Sequence, residues 1–307
     1  MTNYTNASPV FSDTMQILET TDTNHADNFN QAFEALMDNS LANRNDIEKN
    51  IKMNNRLYKG VDLAVKFASE IVPFSNIWTW IKNRINNHNF EGLRVGDYIT
   101  WTLNGETIKS KIAGLNTYRR TTDNEVGWHI DFISEDCYSQ TVQWNTTNNN
   151  NGNAQNSCPY MASNLKTFLE SLEANLPTAL KNVITNKRAL LETRYSSSGA
   201  LTSSTGWGWQ DMGKLWVPTE YEVFGSVCWG TPGWTAGQAV QYELFANSWE
   251  DRIKGAGNGG SRCHWWLACA GDDSSTAACI VGNGGHAYGN SASSAYRVPV
   301  CFRIAES

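Results

Sequence analysis

Apolar residues at Phe29, Phe33, Leu36 and Met37 fall on one face at helical spacing and predict an amphipathic helix. A second series, Leu41, Ile47 and Ile51, continues toward Asn54 as the other member of a helix pair. Asn24 reads as the N-cap, with Asp27 as a weak capping-box partner. Residues 1–23 have no such periodicity and read as an extended arm. Either the pair packs on its own domain, or it is a self-associating or docking segment; so short a stretch has little of its own to bury against, which favours the second.

Beyond residue 60 the pattern changes repeatedly. Residues 61–90 predict a helix broken at Pro73, then a short aromatic helix around Trp78 and Trp80. Tyr98 to Leu103 alternates as a strand, Asn104-Gly105 marks a hairpin turn, and Glu106 to Leu115 returns. Trp128 to Phe132 alternates again; His129, with no acid partner in view, reads as a structural histidine. Asn145 to Asn156 reads as an exposed loop or insertion. Met161, Leu165, Phe168, Leu169, Leu172 and Leu176 predict a helix ended at Pro177, followed by a short helix from Ala179 to Ile184 and a strand within 187–195.

From Gly199 onward the texture is irregular, since 17 of the 24 glycines lie between Gly199 and Gly289. Eight of the 13 tryptophans fall between Trp207 and Trp266, either as plugs for a loop-rich core or as a ligand surface built on indoles. The net charge of -6 gives no electrostatic reason to bind nucleic acid. No apolar run approaches the ~18 residues of a membrane span. The N-terminus lacks the basic-then-apolar order of a signal peptide, and the seven cysteines have no zinc-ligand spacing, so reduced thiols and folding in a cytoplasm are expected. No metal or cofactor is expected.

The stretch 261–304 stands out. Trp265-Trp266-Leu267 opens it, a strand-like run from Tyr296 to Ile304 closes it, and between Arg262 and Arg297 there is no Lys, Glu, Gln or Met. An ordinary solvated loop uses Lys and Glu freely. A Gly/Ser-rich loop of tight turns and a recognition surface both remain open readings.

Gly213 to Glu220 (GKLWVPTE), Gln241 to Phe245 (QYELF), Trp265-Trp266-Leu267 and Arg297 to Ile304 resemble, in order, the LW-P-S/T-E, QY-x-x-F, WWLRS and RPAFxI elements of an uncharacterised domain of phage tail and bacterial surface proteins. Phe90 and Val95 to Ile99 look similar upstream, so the resemblance covers roughly 75–304. Ala268-Cys269 replaces the usual Arg-Ser, and Arg297-Val298-Pro299 rearranges the usual order. That family is similar to the C-type-lectin-like fold of the formylglycine-generating enzymes. The resemblance implies an α+β, C-type-lectin-like domain over 61–307 with irregular Gly/Trp-rich loops, preceded by a helical attachment or oligomerisation segment over 1–60. It implies structural roles for Trp216 and Glu220. Phage proteins of this fold include targets of diversity-generating retroelements, whose mutated AAC and AAT codons cannot become Lys, Glu, Gln, Met or Trp.

The function expected is therefore a non-enzymatic phage tail-tip or tail-fibre receptor-binding protein, located in the virion and assembled in the host cytoplasm. Its partners would be a host cell-surface receptor, protein or glycan, and other tail proteins through residues 1–60, in a homo-oligomer for which the resemblance points to a trimer; nucleic acid and membrane insertion are not expected. Candidate contacts are Cys263, His264, Ala268, Ala270, Asp272, Asp273, Ser274, Ser275, Ala278, His286, Tyr288, Asn290, Ser293, Ser294 and Tyr296. Two alternatives compete. A formylglycine-generating-type oxidase would need a metal-holding cysteine pair from Cys263, Cys269 and Cys301, whose spacing does not match. A calcium-dependent lectin would need about six to eight oxygen ligands, for which Glu250-Asp251 and Asp272-Asp273 offer carboxylates without a Glu-Pro-Asn triplet.

Overall fold

The computed structural model describes residues 26–121, 123, 125–233 and 239–307. The arm at 1–23, the cap at Asn24 and Trp234 lie outside the described residues. The chain divides into two compact units, 1–58 and 59–307.

In the first unit, Ala26–Leu57 forms one continuous helix of 32 residues, α1, where a helix pair was expected. It contains neither Gly nor Pro. The polar step Asp38-Asn39-Ser40 between the two apolar series lowers helix propensity by only about half a kcal/mol per residue, too little to break the helix. Phe33, Leu36, Met37, Ile47, Ile51 and Leu57 are exposed along it.

The second unit begins with two one-turn helices, α2 (Leu63–Lys66) and α3 (Ala68–Ile71), which end before Pro73. The aromatic helix α4 (Ile77–Asn86) follows, started by the Asn76 side chain accepting from the Thr79 N–H, and buries Trp78, Trp80, Ile81 and Ile85. Strands β1 (Tyr98–Leu103) and β2 (Glu106–Leu115) form the expected hairpin. Asn104 and Gly105 take left-handed φ of 50° and 80°, the turn whose twist matches the strands. Strand β3 (His129–Cys137) adds to β2, and β4 (Val142–Gln143) is a short strand after it. Helix α5 (Asn164–Glu173), capped by Ser163, matches the apolar series expected there. The second short helix is cut to α6 (Thr178–Lys181), because Ile184–Thr185 pairs as strand β5. The expected strand near 190 is β6 (Arg188–Thr193), paired with β7 (Gly206–Asp211).

Next come β8 (Leu215–Trp216), α7 (Glu220–Phe224), α8 (Glu243–Asn247), β9 (Lys254–Gly255) and β10 (Arg262–Cys263). Then β11 (Trp265–Ala270), β12 (Ala277–Val281) and β13 (Ala287–Ser291) form a three-stranded antiparallel meander. Finally, β14 (Ala295–Tyr296) pairs with β4, and β15 (Pro299–Ala305) enters the main sheet. That sheet runs β1-β2-β3-β15-β5, with β8 also on β15, and curls into an antiparallel half-barrel. The class is α+β, as the sequence implied.

The core lies between this sheet and the flanking helices. Phe132 stacks on Phe302 at 5.0 Å, and Trp78 of α4 meets Phe302 edge-on at 5.8 Å. The tryptophan cluster divides by exposure. Trp216, Trp265 and Trp266 are fully buried, whereas Trp229 and Trp249 are more than half exposed. Two of the buried indoles are anchored by hydrogen bonds, Trp266 donating to the Val142 carbonyl at 2.8 Å and Trp265 to the Arg252 carbonyl at 2.9 Å, whereas the buried Trp216 Nε1–H has no hydrogen-bond partner.

The Asn-rich stretch is not a purely exposed loop. Asn150 and Asn151 are buried, and the Asn150 amide donates to the carbonyls of Ser274 (2.7 Å) and Ala277 (2.5 Å). An amide has two donors and one acceptor, which suits it to bracing the inner side of a turn between strands.

Candidate ligand-binding face

The stretch expected as loop is mostly sheet. Trp265 pairs with Val281 and Trp266 with Ile280, a bulge follows, and Ala278 and Cys279 pair with Asn290 and Gly289. Strand β11 is buried on both faces and β12 nearly so, the small Ala and Cys residues standing in the sequence beside larger Trp, Leu, Ile and Val. Strand β13 is the outer strand of the meander, and it is only partly covered.

This arrangement sorts the candidate contacts. Cys263, in β10 against β9, and Ala268, Ala270 and Ala278, in the meander, are buried at 6%, 3%, 1% and 0% exposure, so they pack the interior rather than meet a ligand. His264, Asp272, Asp273, Ser274, Ser275, His286, Tyr288, Asn290, Ser293, Ser294 and Tyr296 are half-buried or exposed. Several of these serve the turns. The Ser274 hydroxyl accepts from the N–H of Thr276 and of Ala277, and Asn290 donates to the Tyr296 hydroxyl at 2.7 Å. The His264 ring lies 5.3 Å from that of Tyr296, and its buried Nδ1 has no hydrogen-bond partner.

Residues remote in sequence hold the meander rigid. Arg194, fully buried, donates through Nη1 to the carbonyls of Gly271 and Ser274, both at 2.9 Å, and through Nη2 to Glu192 and Thr231. Glu192 also accepts from the Ala270 N–H at 3.2 Å. Burial raises the Glu192 pKa, against the opposing pull of Arg194. Glu220 is the second anchor. One carboxylate oxygen accepts from the N–H of Trp229 and the other from those of Cys228 and Gly230, all at 2.9 Å. The Trp229 carbonyl then accepts from the Asp272 N–H at 2.8 Å, and its indole N–H donates to the Ala287 carbonyl at 3.2 Å.

Trp229 was not among the sequence candidates. Its signal was faint: an indole flanked by Cys and Gly, in a chain with many indoles. It is 51% exposed, and its ring meets that of Tyr288, itself 44% exposed, edge-on at 5.9 Å.

Two hollows in the fold are poor alternatives to this face. A cavity of about 20 Å³ beside Glu192, Trp207, Glu220 and Cys269 has room for one water molecule. A cleft of about 370 Å³ holds Asp123, Glu125, Arg188, Arg303 and Glu306, but Arg188 pairs with both Asp123 and Glu125 within it. Among the described residues, no group of three or more His, Cys, Asp or Glu side chains could hold a metal ion. The three cysteines of the oxidase alternative are dispersed. Cys263 lies against Cys137, Cys269 against Glu220, and Cys301 pairs with Ile133 and Trp216 in the main sheet.

His129 is structural in the sense expected, but an acid is near. It is fully buried, its Nδ1–H donates to the Gly127 carbonyl at 2.8 Å, and its Nε2 accepts from the Tyr118 N–H. The Asp131 carboxylate lies 3.7 Å away, yet Arg303 claims it. Burial, with Arg303 adding to it, lowers the His129 pKa from 6.5 to about 4. The unfolded chain therefore binds a proton that the folded chain refuses, and stability falls as pH drops from 6.5 toward 4. The loss from this group is about 3 kcal/mol. Urea midpoints across that window should fall less steeply in His129→Gln than in the parent; equal slopes would show that His129 does not titrate as its burial requires.

Residues 132–306 match the family described as "Domain of unknown function (DUF6273)". The matched span contains the GKLWVPTE, QYELF and WWL elements and the closing strand, together with both anchors, Arg194 and Glu220. No curated protein and no solved structure matches the chain. With more than half of its length inside the matched span, and with that span supplying the meander and everything that braces it, the chain belongs to the DUF6273 family.

Proposed function

We propose that this protein is a non-enzymatic receptor-binding module of the phage tail-tip or tail-fibre kind, with its ligand face on the β11–β13 meander and the adjoining turns. The observation that carries this reading is a mismatch between bracing and exposure. The turns at 228–230 and 271–277 are pinned by the buried side chains of Glu220, Arg194 and Asn150, yet they present Trp229 and Asp273 to solvent, with the exposed Tyr288 of β13 against Trp229 and His286 next to it. Buried charge spent on ordering an exposed surface is what pre-organised recognition requires.

The helix α1 supports the attachment half of the proposal. A single 32-residue helix with an exposed apolar stripe gains its stability by burying that stripe, against other tail proteins or further copies of the chain in a trimer. Among the described residues, no helix is long and apolar enough to cross a membrane. The C-type-lectin-like assignment rests on the ordered sequence elements together with the curled antiparallel sheet and its flanking helices. Neither the calcium-lectin nor the oxidase alternative gains support, since Asp251 pairs with Lys111 at 2.8 Å and the cysteines are apart.

The full-length protein should bind cells or isolated surface components of a bacterial host, with EDTA leaving the binding intact. Exchanging His286, Tyr288 and Asn290 together should reduce that binding about a hundredfold, while the unfolding midpoint falls by no more than the loss of the Asn290 hydrogen bonds to Tyr296 and Ser291 accounts for. Unchanged binding by that triple variant would place the face elsewhere. We further propose that residues 263–296 form a hypervariable face diversified by a retroelement, which is read in the genome: a near-identical second copy of the segment encoding them should lie beside a reverse-transcriptase gene, differing at adenines.

A further inference from the structure

We infer that Trp229 and Tyr288 form a stacking platform for a neutral saccharide, making an uncharged sugar ring the ligand class of the meander face. This rests on the receptor-binding reading above and specifies its ligand. The geometry is that of a held, not a floating, aromatic pair. Trp229 is fixed by its own N–H on Glu220, its carbonyl on the Asp272 N–H and its indole N–H on the Ala287 carbonyl. The flanking N–H groups of Cys228 and Gly230 also end on Glu220. The indole lies over Gly289, where even a Cβ would come within 3.9 Å of it. Tyr288 stands edge-on to it at 5.9 Å, and the His286 ring follows at 6.3 Å. Two rings at 71° make a corner, one wall for the apolar C–H face of a sugar and one for its edge.

Size and charge select the occupant. A stable protein partner covers roughly 800 Å² on each side with an apolar centre. Here the exposed large apolar side chains on the meander and its bracing turn are Trp229 and Tyr288, each already about half covered. Together they offer roughly 200 Å², the footprint of one or two sugar rings. Residues 263–296 contain no Lys or Arg, and Asp272 is joined to Trp229 through the main chain, so an anionic sugar meets a carboxylate and no cation there. Arg252 is half-buried with its Nε shielded from solvent, donating through Nη2 to the Phe245 carbonyl and lying 4.9 Å over the Phe224 ring. Hydroxyl partners are at hand in the His286 ring, the Tyr288 hydroxyl and the Asp273 carboxylate, which are exposed.

The test is a glycan array carrying neutral hexose and N-acetylhexosamine oligosaccharides beside sialylated and phosphorylated ones, probed with the full-length protein, and in parallel whole host cells before and after periodate oxidation. Retention on neutral glycans, competed by the free neutral sugar and insensitive to EDTA, is expected. Trp229→Ala and Tyr288→Ala should each weaken it about tenfold, whereas Tyr288→Phe retains most of it. If Trp229→Ala proves unfolded, Tyr288→Ala on the outer strand carries the comparison alone. Binding only to anionic glycans, binding to cells that survives periodate, or neutral-glycan binding indifferent to Tyr288→Ala would each overturn the saccharide inference. Those outcomes leave the receptor-binding reading standing if the triple exchange at 286, 288 and 290 still abolishes attachment. No attachment to cells or array by any route through the meander would overturn both.

Discussion

Replacing Asp131 with alanine should cost about 3–5 kcal/mol, enough to bring a domain of ordinary stability close to unfolding at room temperature. Asp131 and Arg303 face each other across the β3–β15 register, both essentially buried, in a bidentate pair of 2.7 and 2.8 Å. The Tyr242 hydroxyl donates to the same carboxylate at 3.0 Å. Burial alone would raise the Asp131 pKa, but the Arg303 charge and bonds outweigh it and hold the carboxylate ionised. Removing it leaves a buried guanidinium in the main sheet without its bidentate partner, the Tyr118 ring lying 5.0 Å away. Guanidinium chloride midpoints measure the loss. The paired exchange Asp131→Leu with Arg303→Met should recover much of it, because the isolated charge is what destabilises. A single variant within about half a kcal/mol of the parent would mean that water reaches Arg303, contrary to its burial.

That pair also shows what the sequence could and could not reveal. The hairpin at Asn104-Gly105, the helix α5 and the Trp265-Trp266 core were legible because turn chemistry and helical spacing are local. Asp131 and Arg303 are 172 residues apart, and no local pattern joins them. The meander was hidden for a different reason. A strand covered on both faces loses its alternation, and β11 and β12 are built from Ala, Cys, Trp, Leu, Ile and Val without a polar rhythm. The same burial accounts for part of the missing Lys and Glu: Cys263, Ala268, Ala270 and Ala278 occupy positions with no room for a long charged chain. The shortage of charge therefore speaks for recognition only on the exposed residues. Asn145 to Asn156 misled in the opposite sense, since Asn is common in solvated turns and nothing local distinguishes Asn150, whose amide braces carbonyls more than a hundred residues away. Trp216 and Glu220 behaved as the family resemblance implied, one stacked on Tyr242 at 6.1 Å and the other bound to main-chain N–H groups.

Glu220→Gln should weaken ligand binding without altering any side chain of the face, and should cost about 3 kcal/mol of stability. The carboxylate has two acceptor oxygens for three main-chain N–H groups, those of Cys228, Trp229 and Gly230. A glutamine supplies one oxygen and one NH2, so at least one buried N–H faces another donor, and the bonds that remain lose the help of the charge. Glu220 is only 1% exposed, and the cavity of about 20 Å³ beside it has room for one water at most, so the lost bonds are not fully replaced. The loop carrying Trp229 then loosens, and its ring must be ordered again each time a ligand arrives. Binding should therefore fall by more in Glu220→Gln than in a surface control outside the face such as Thr167→Ala on α5, while the unfolding midpoint drops but the cooperative transition remains. Aromatic side-chain NMR of Trp229 supplies the decisive check, since its indole N–H signal reports whether the bond to the Ala287 carbonyl survives. An unchanged indole signal with unchanged affinity would mean that the 228–230 turn holds its shape without Glu220. In that case the buried carboxylate serves the fold alone, and the link between bracing and recognition would be broken at its strongest point.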